Sequence, residues 1–352
     1  MSMKRFTGSF LGVALALLLF CAALTFAVDP FYQYRVPAGE AVPLFSERYQ
    51  LPGVARHFSY DAALIGSSMA ENNRQSWYSE AFSCTAQKFT FAGGYFPEYD
   101  AILTEIFAAR TPERVFFSVD LYALMADPGY TFFTNPGYLY GTDVSDDAKY
   151  LLNKDVLTQS LPTYLSLRRG WTGRDTDDAF AFESTRVYSR EAALHNYVYE
   201  DFMWFSVLER DDYTQNCREN LSYLTKHISA HPETEFIVFL PPYSMLMWEK
   251  CRLDGTVDAV LELVSTCAEL LSAYDNVRFF SFLDKAEVAQ NLDNYMDSLH
   301  FTGAVSRELV DDMAAGAFEV TKENRAARMQ SLADMLAAYD FEALEEEVAN
   351  AT

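Results

Sequence analysis

The chain has 352 residues, half of them apolar and 15% aromatic, with a formal net charge of −23. That apolar content supports a sizeable core and excludes general disorder. The acidity excludes the basic footprint that nucleic-acid binding needs, and it disfavours a soluble face lying flat on anionic lipid.

The N-terminus opens with Lys4 and Arg5, and no charged residue follows from Phe6 to Val28. The apolar run Phe10–Val28 would extend roughly 28 Å as a helix, close to the hydrocarbon thickness of a bilayer. With a basic flank before it and Asp29-Pro30 after it, the expected orientation is N-terminus cytoplasmic and the remaining chain extracytoplasmic. Thr25-Phe26-Ala27 makes a poor small-x-small cleavage site, and Phe20 before Cys21 spoils a lipoprotein-type one. An uncleaved, single-pass anchor in the cell membrane is therefore expected. Beyond it, Cys84, Cys217, Cys251 and Cys267 permit three disulfide pairings, and the sequence does not choose between disulfides and buried thiols. Their wide spacing is not that of a zinc site, and neither histidines nor acids cluster at ligand spacing; no metal and no cofactor is expected.

Phe31–Gly53, with prolines and aromatics but no periodicity, reads as an extended connector. Strands and helices then alternate. Tyr60–Ile65 reads as a first strand, followed by Gly66-Ser67-Ser68 and a helix over Ser68–Phe82. Lys88–Ala92 is a second strand ending at Gly93-Gly94, Pro97–Ala109 an amphipathic helix, and Arg114–Val119 a third strand. The alternation lapses over 121–212, an aromatic-rich stretch too long for a bare loop, with the character of an insertion that packs on the body or covers a site. It resumes with a helix around Tyr213–Ala230, the strand Glu235–Leu240, a helix over Thr256–Tyr274, the strand Val277–Phe282 and a helix over Gly303–Phe318. The expected organisation is an anchor (1–28), a connector (29–57), an α/β domain (58–318) and a helical tail (319–352).

Five strands alternating with helices imply a parallel sheet covered on both faces. In such a sheet ligands bind beyond the carboxyl ends of the strands. Those ends bring Ser68, Gly93-Gly94, Asp120, Pro241-Pro242 and the Asp297–His300 loop to one edge. A serine there is either a nucleophile or a helix cap, and Ser68-x-x-Glu71 also fits a capping box. A serine nucleophile needs a base and a group that orients the base. Of five histidines, His57 precedes the first strand, His195 lies in the insertion, and His227 and His231 read as surface residues. His300 follows the last strand, with Asp297 three positions earlier and able to reach back to its Nδ1 proton. Capping of the next helix is the competing use of Asp297 and Ser298.

Gly66-Ser67-Ser68-Met69 resembles the first block of the SGNH (GDSL-type) hydrolases, with Ser67 where the usual aspartate stands, and Asp297-Ser298-Leu299-His300 is similar to that family's final D-x-x-H block. The resemblance implies a flavodoxin-like three-layer α/β/α domain and a catalytic Ser68–His300–Asp297 triad. It also implies an oxyanion hole from the N–H groups of Ser68 and a glycine, Gly93 or Gly94, with Gly94 preferred. The third block departs from the family: its G-x-N-D asparagine donates to the oxyanion, whereas here Ser118-Val119-Asp120-Leu121 places an acid that accepts hydrogen bonds when ionised. An N-terminal anchor with an extracytoplasmic Gly-Ser-Ser serine resembles the teichoic-acid D-alanylation and alginate-acetylation proteins. What this implies is an esterase or O-acyltransferase acting on acyl esters of a cell-envelope glycan or polymer, with a multi-span acyltransferase as a possible partner. A catalytically inactive scaffold or glycan-binding relative is the alternative, and Asp120 is the residue that favours it.

Overall fold

The structure is a computed structural model and describes residues 3–37, 42–141, 143–170, 176–197 and 213–351. The last part of the expected insertion, 198–212, lies outside the described residues. The chain is α/β, with five strands in one all-parallel sheet: β1 Ala62–Gly66, β2 Ala86–Thr90, β3 Arg114–Ser118, β4 Glu235–Leu240 and β5 Val277–Ser281. Their order is β2-β1-β3-β4-β5, the flavodoxin-like arrangement. All five residues of β1 and β2 are buried, as expected where helices cover both faces of a sheet. Leu64, Ile65, Phe116, Phe117, Ile237 and Phe279 are almost fully buried, and each such side chain contributes about 2 kcal/mol of transfer free energy.

Two compact units share the chain. The larger comprises 60–103, 111–134 and 180–352 and contains the sheet. The C-terminal helices belong to it. Arg325–Ala338 packs on the helix Val257–Leu271, and Phe341–Ala351 packs on Arg190–Asn196, burying Leu336 and Leu344. Two sequence expectations change here. His227 is buried rather than superficial, because its Nε2 meets the Asp100 carboxylate at 2.7 Å. The helix expected over Ser68–Phe82 divides into a single 3-10 turn, Ser68–Ala70, and a helix that starts only at Gln75.

The smaller unit comprises 1–59, 104–110 and 135–179. Its first helix, Met3–Val28, is 26 residues long with a mean hydropathy of 2.6, long and apolar enough to cross a membrane. The chain leaves this helix through Asp29, whose carboxylate accepts the N–H groups of Gln33, Tyr34 and Arg35 and the hydroxyl of Tyr150. The expected extended connector is corrected in part, since Glu47–His57 is a helix. No apolar stripe announces it because a polar side chain holds its start. Buried Gln50 accepts from the N–H groups of Phe45 and Ser46 and donates to the carbonyls of Pro30 and Pro43. Arg56, in the last turn, donates to Glu105, Gln33 and the carbonyl of Leu139. All five cysteines are free thiols, with Cys217, Cys251 and Cys267 fully buried.

Gly66, the last residue of β1, has no room for a side chain: a Cβ there would lie 2.7 Å from Ala70 Cβ and 2.9 Å from Ser118 Cβ. Both neighbours are short and held by backbone, so neither can swing away. Gly66→Ala is expected to destabilise the chain by about 1–3 kcal/mol through overpacking, read as a lower urea midpoint with an unchanged slope. An unchanged midpoint would show that the turn relaxes freely.

Candidate active site

The carboxyl edge of the sheet is built from the five segments that follow the strands. β1 ends at Gly66 and the chain turns at once into Ser67-Ser68. Ser67, not Ser68, caps the 3-10 turn: its Oγ accepts the Met69 N–H at 3.1 Å. The capping-box expectation for Ser68 and Glu71 is corrected accordingly, and the Ser68 hydroxyl is left for another partner. The loop that follows is fixed from below. Lys88, a buried residue of β2, donates from Nζ to the carbonyls of Glu71 and Asn73 at 2.8 and 2.9 Å.

After β5, the segment Asp297–His300 closes as a tight turn flanked by a bridge between Tyr295 and Phe301. One Asp297 oxygen accepts the N–H groups of Leu299 and His300 at 2.8 and 2.7 Å. The other meets His300 Nδ1 at 2.7 Å. The turn is tied to the loop after β4 by Ser244, whose hydroxyl donates to the Ser298 carbonyl at 2.8 Å. Burial alone would raise the Asp297 pKa, but the neighbouring imidazole and the two N–H groups outweigh it and hold the carboxyl below its ordinary range. An ionised carboxylate only accepts, so Nδ1 carries the proton and Nε2 of the neutral ring is an acceptor. Ser68 Oγ lies 2.9 Å from that Nε2 and donates to it. Ser68, His300 and Asp297, 232 residues apart at their extremes of contact, thus form one continuous hydrogen-bonded chain.

Backbone N–H groups of Ser68 and of the glycines after β2 lie at this same carboxyl edge. Among the described residues the Ser68 N–H makes no hydrogen bond. The Gly94 N–H does, donating to the Phe91 carbonyl at 2.9 Å, so the expected preference for Gly94 is corrected. Gly93 sits at φ +60°, where a side chain would be strained, and its N–H makes no backbone hydrogen bond among the described residues. Gly94 is glycine for another reason, since a Cβ would lie 2.6 Å from the Tyr99 hydroxyl.

Asp120, at the end of β3, is completely buried, and neither carboxyl oxygen meets a hydrogen-bond partner. Burial pushes its pKa up to about 6; the hydroxyls of Ser67 and Tyr122, the His300 ring and the hydroxyl of Tyr243 pull the other way from close by, though none of the hydroxyls reaches bonding geometry.

Residues of the insertion that sequence reasoning did not single out also belong here. The Phe182 ring stands edge-on to the His300 ring, with centroids 5.5 Å apart. Asn72, four residues past Ser68, accepts the N–H groups of Phe182 and Glu183, and its amide donates to the Tyr188 hydroxyl. Glu183 accepts the Gly303 N–H at 2.7 Å at the start of the helix Gly303–Ala315. The segment is therefore clasped to both the serine loop and the histidine loop. Only the aromatic richness of 121–212 could have hinted at it. Among the described residues no group of three or more His, Cys, Asp or Glu converges as metal ligands do.

No protein-family model and no curated protein matches the chain. Among solved structures, the chain is similar to one described as "a putative platelet activating factor from Streptococcus pneumonia", at 14% identity and a TM-score of 0.36, over 77% of this chain and 91% of that one. A likeness that weak carries no argument about fold or activity.

The raised Asp120 pKa gives a signed stability prediction. An acid that titrates higher in the folded than in the unfolded chain loses stability as pH rises from the unfolded value, near 3.8, through about 6. Two units correspond to about 3 kcal/mol as an upper bound. Asp120→Asn removes that dependence, so the difference in unfolding free energy between variant and wild type is expected to move in favour of the variant between pH 4 and pH 7. Parallel curves would show that Asp120 titrates alike in both states.

Proposed function

We propose that this chain is a serine-dependent acyl-ester hydrolase or O-acyltransferase of the SGNH type. It is held in the cell membrane by Met3–Val28, with the α/β domain on the extracytoplasmic side, and acts on acyl esters of a cell-envelope glycan or polymer. The observation that carries this reading is the hydrogen-bonded chain from Ser68 Oγ through His300 to Asp297. A serine hydroxyl aimed at a neutral imidazole, whose far nitrogen is held by a buried carboxylate, is the arrangement that activates a nucleophile.

In the first half-reaction Ser68 Oγ attacks the ester carbonyl carbon as its proton passes to His300 Nε2. Asp297 stabilises the imidazolium, and the Ser68 and Gly93 N–H groups receive the oxyanion. Collapse of the tetrahedral intermediate breaks the ester C–O bond, and His300 returns the proton to the departing alkoxide. In the second half-reaction a water or a glycan hydroxyl attacks the acyl-serine, again losing its proton to His300, and Ser68 is regenerated. Hydrolysis and transfer differ only in which hydroxyl arrives. A multi-span acyltransferase in the same membrane would supply or receive the acyl group.

The second reading is a scaffold or glycan-binding relative that has kept the fold. Its supporting observation is Asp120, a buried acid without a hydrogen-bond partner beside the serine turn.

A fluorophosphonate probe separates the two. Wild-type protein is expected to be labelled and Ser68→Ala spared, with Asp297→Asn slowed by about a hundredfold or more because Nδ1 is no longer held as the donor. Equal labelling of wild type and Ser68→Ala, or no labelling of either, rules out the acyl-transfer reading.

A further inference from the structure

The segment that carries Phe182 is irregular in backbone and yet tied down from both sides. Asn72 Oδ1, in the loop beyond the serine turn, accepts the N–H groups of Phe182 and Glu183, each at 3.1 Å. The Glu183 carboxylate accepts the Gly303 N–H at 2.7 Å, three residues past His300. Position 303 has to be glycine for this contact, since a Cβ there would run into that carboxylate. Two residues before the ring, Phe180 sits at φ +65°, in the left-handed region that a bulky side chain avoids. Backbone strain of that kind persists only where the surroundings over-determine it, and it gathers where a chain must present a group at one place.

The group presented is the Phe182 ring. It is partly exposed and stands nearly perpendicular to the His300 ring, with centroids 5.5 Å apart and planes at 86°. Asp297 takes Nδ1 of His300 and Ser68 takes Nε2, so Phe182 covers part of the imidazole surface that those two leave. The hydroxyl that releases an acyl group from Ser68 must give its proton to Nε2, and so must come within hydrogen-bond distance of it. It arrives beside Phe182. Water needs only room there, and an apolar ring offers it no hydrogen bond. A sugar hydroxyl brings a ring of its own, whose C–H face packs on an aromatic one and displaces the water that competes with it.

We propose that Phe182 selects the acceptor: it packs against the sugar ring whose hydroxyl resolves the acyl-serine, so that this chain transfers its acyl group to a glycan in preference to water. This rests on the acyl-transfer reading above and decides between its two outcomes. In the step concerned, the acceptor O–H gives its proton to His300 Nε2 while its oxygen forms the new ester bond to the acyl carbon. The bond from that carbon to Ser68 Oγ breaks, and the proton passes from Nε2 to Ser68 Oγ. Phe182 moves no proton; it determines specificity by what it holds beside the base.

The test is product partition in the full-length chain in detergent, with p-nitrophenyl acetate as donor and either cellobiose or glycerol as acceptor. Both products, acetylated acceptor and free acetate, come from one acyl-serine, so their ratio does not depend on how fast that intermediate forms. Wild type is expected to favour acetyl-cellobiose over acetate. Phe182→Ala is expected to lower the cellobiose ratio about tenfold, the size of one aromatic contact, and Phe182→Tyr to keep it. With glycerol, which has no ring to pack, the ratio is expected to change less than about twofold. A cellobiose ratio unchanged in Phe182→Ala overturns the assignment, as does a wild type that yields only acetate. So does an equal fall with cellobiose and glycerol, which would mean that the ring merely props His300. Should Phe182→Ala not fold, Phe182→Leu fills similar volume without an aromatic face, and the same outcomes decide. Acetate release that needs Ser68 but ignores Phe182 removes only this selection, whereas release no faster than in Ser68→Ala removes the underlying reading as well.

Discussion

The carboxylate of Asp297 is the interaction on which the site depends. It accepts three hydrogen bonds, two from the backbone of its own turn and one from the His300 ring. The first two shape the loop, and the third chooses the tautomer. Because one group does both, the backbone geometry that presents His300 and the protonation that makes Nε2 an acceptor are set together. Its depressed pKa is the thermodynamic counterpart: each of those hydrogen bonds favours the charged form against the cost of burial.

The serine side of the site shows a comparable division of labour between adjacent residues. A 3-10 turn leaves backbone N–H groups without acceptors, and one serine must satisfy them if the turn is to close. Ser67 does this, so Ser68 can point at His300. The turn is tight because Gly66 lets Ala70 and Ser118 close in, and the loop beyond it stays down because Lys88 reaches from β2 to two of its carbonyls. A lysine at that place would be costly if its ammonium were unpaired; here it replaces water as the donor to the backbone.

Much of this was legible in the sequence because local chemistry and long-range topology agree there. The strands are short, continuous apolar runs, so their number, class and approximate bounds follow from hydrophobic pattern alone, and parallel connection then gathers their ends. Ser68 and Asp297-x-x-His300 were readable for the same reason. What escaped is whatever polar side chains decide. The helix Glu47–His57 is organised by the amide of Gln50, which no periodicity reveals. The choice of Ser67 over Ser68 as cap is a matter of one residue. The assignment of Gly94 failed because a turn hydrogen bond to Phe91 consumes its N–H, and sequence does not say which of two glycines closes a turn. The clasp of Asn72 on the backbone of Phe182 and Glu183 joins positions 110 and 111 residues apart, and nothing in either segment announces the other.

The two carboxylates at this edge differ in how their charge is compensated, and that contrast bears on the chemistry. Asp297 is surrounded by donors that hold its carboxyl below the ordinary range; Asp120 is enclosed by hydroxyls that stand close without reaching bonding geometry, and burial pushes it up to about 6. Asp297 stands behind the imidazole and carries the charge that holds Nδ1 as the donor. Asp120, walled in at the end of the third strand, has no such donors in bonding geometry, and its burial becomes a stability cost as pH rises through about 6.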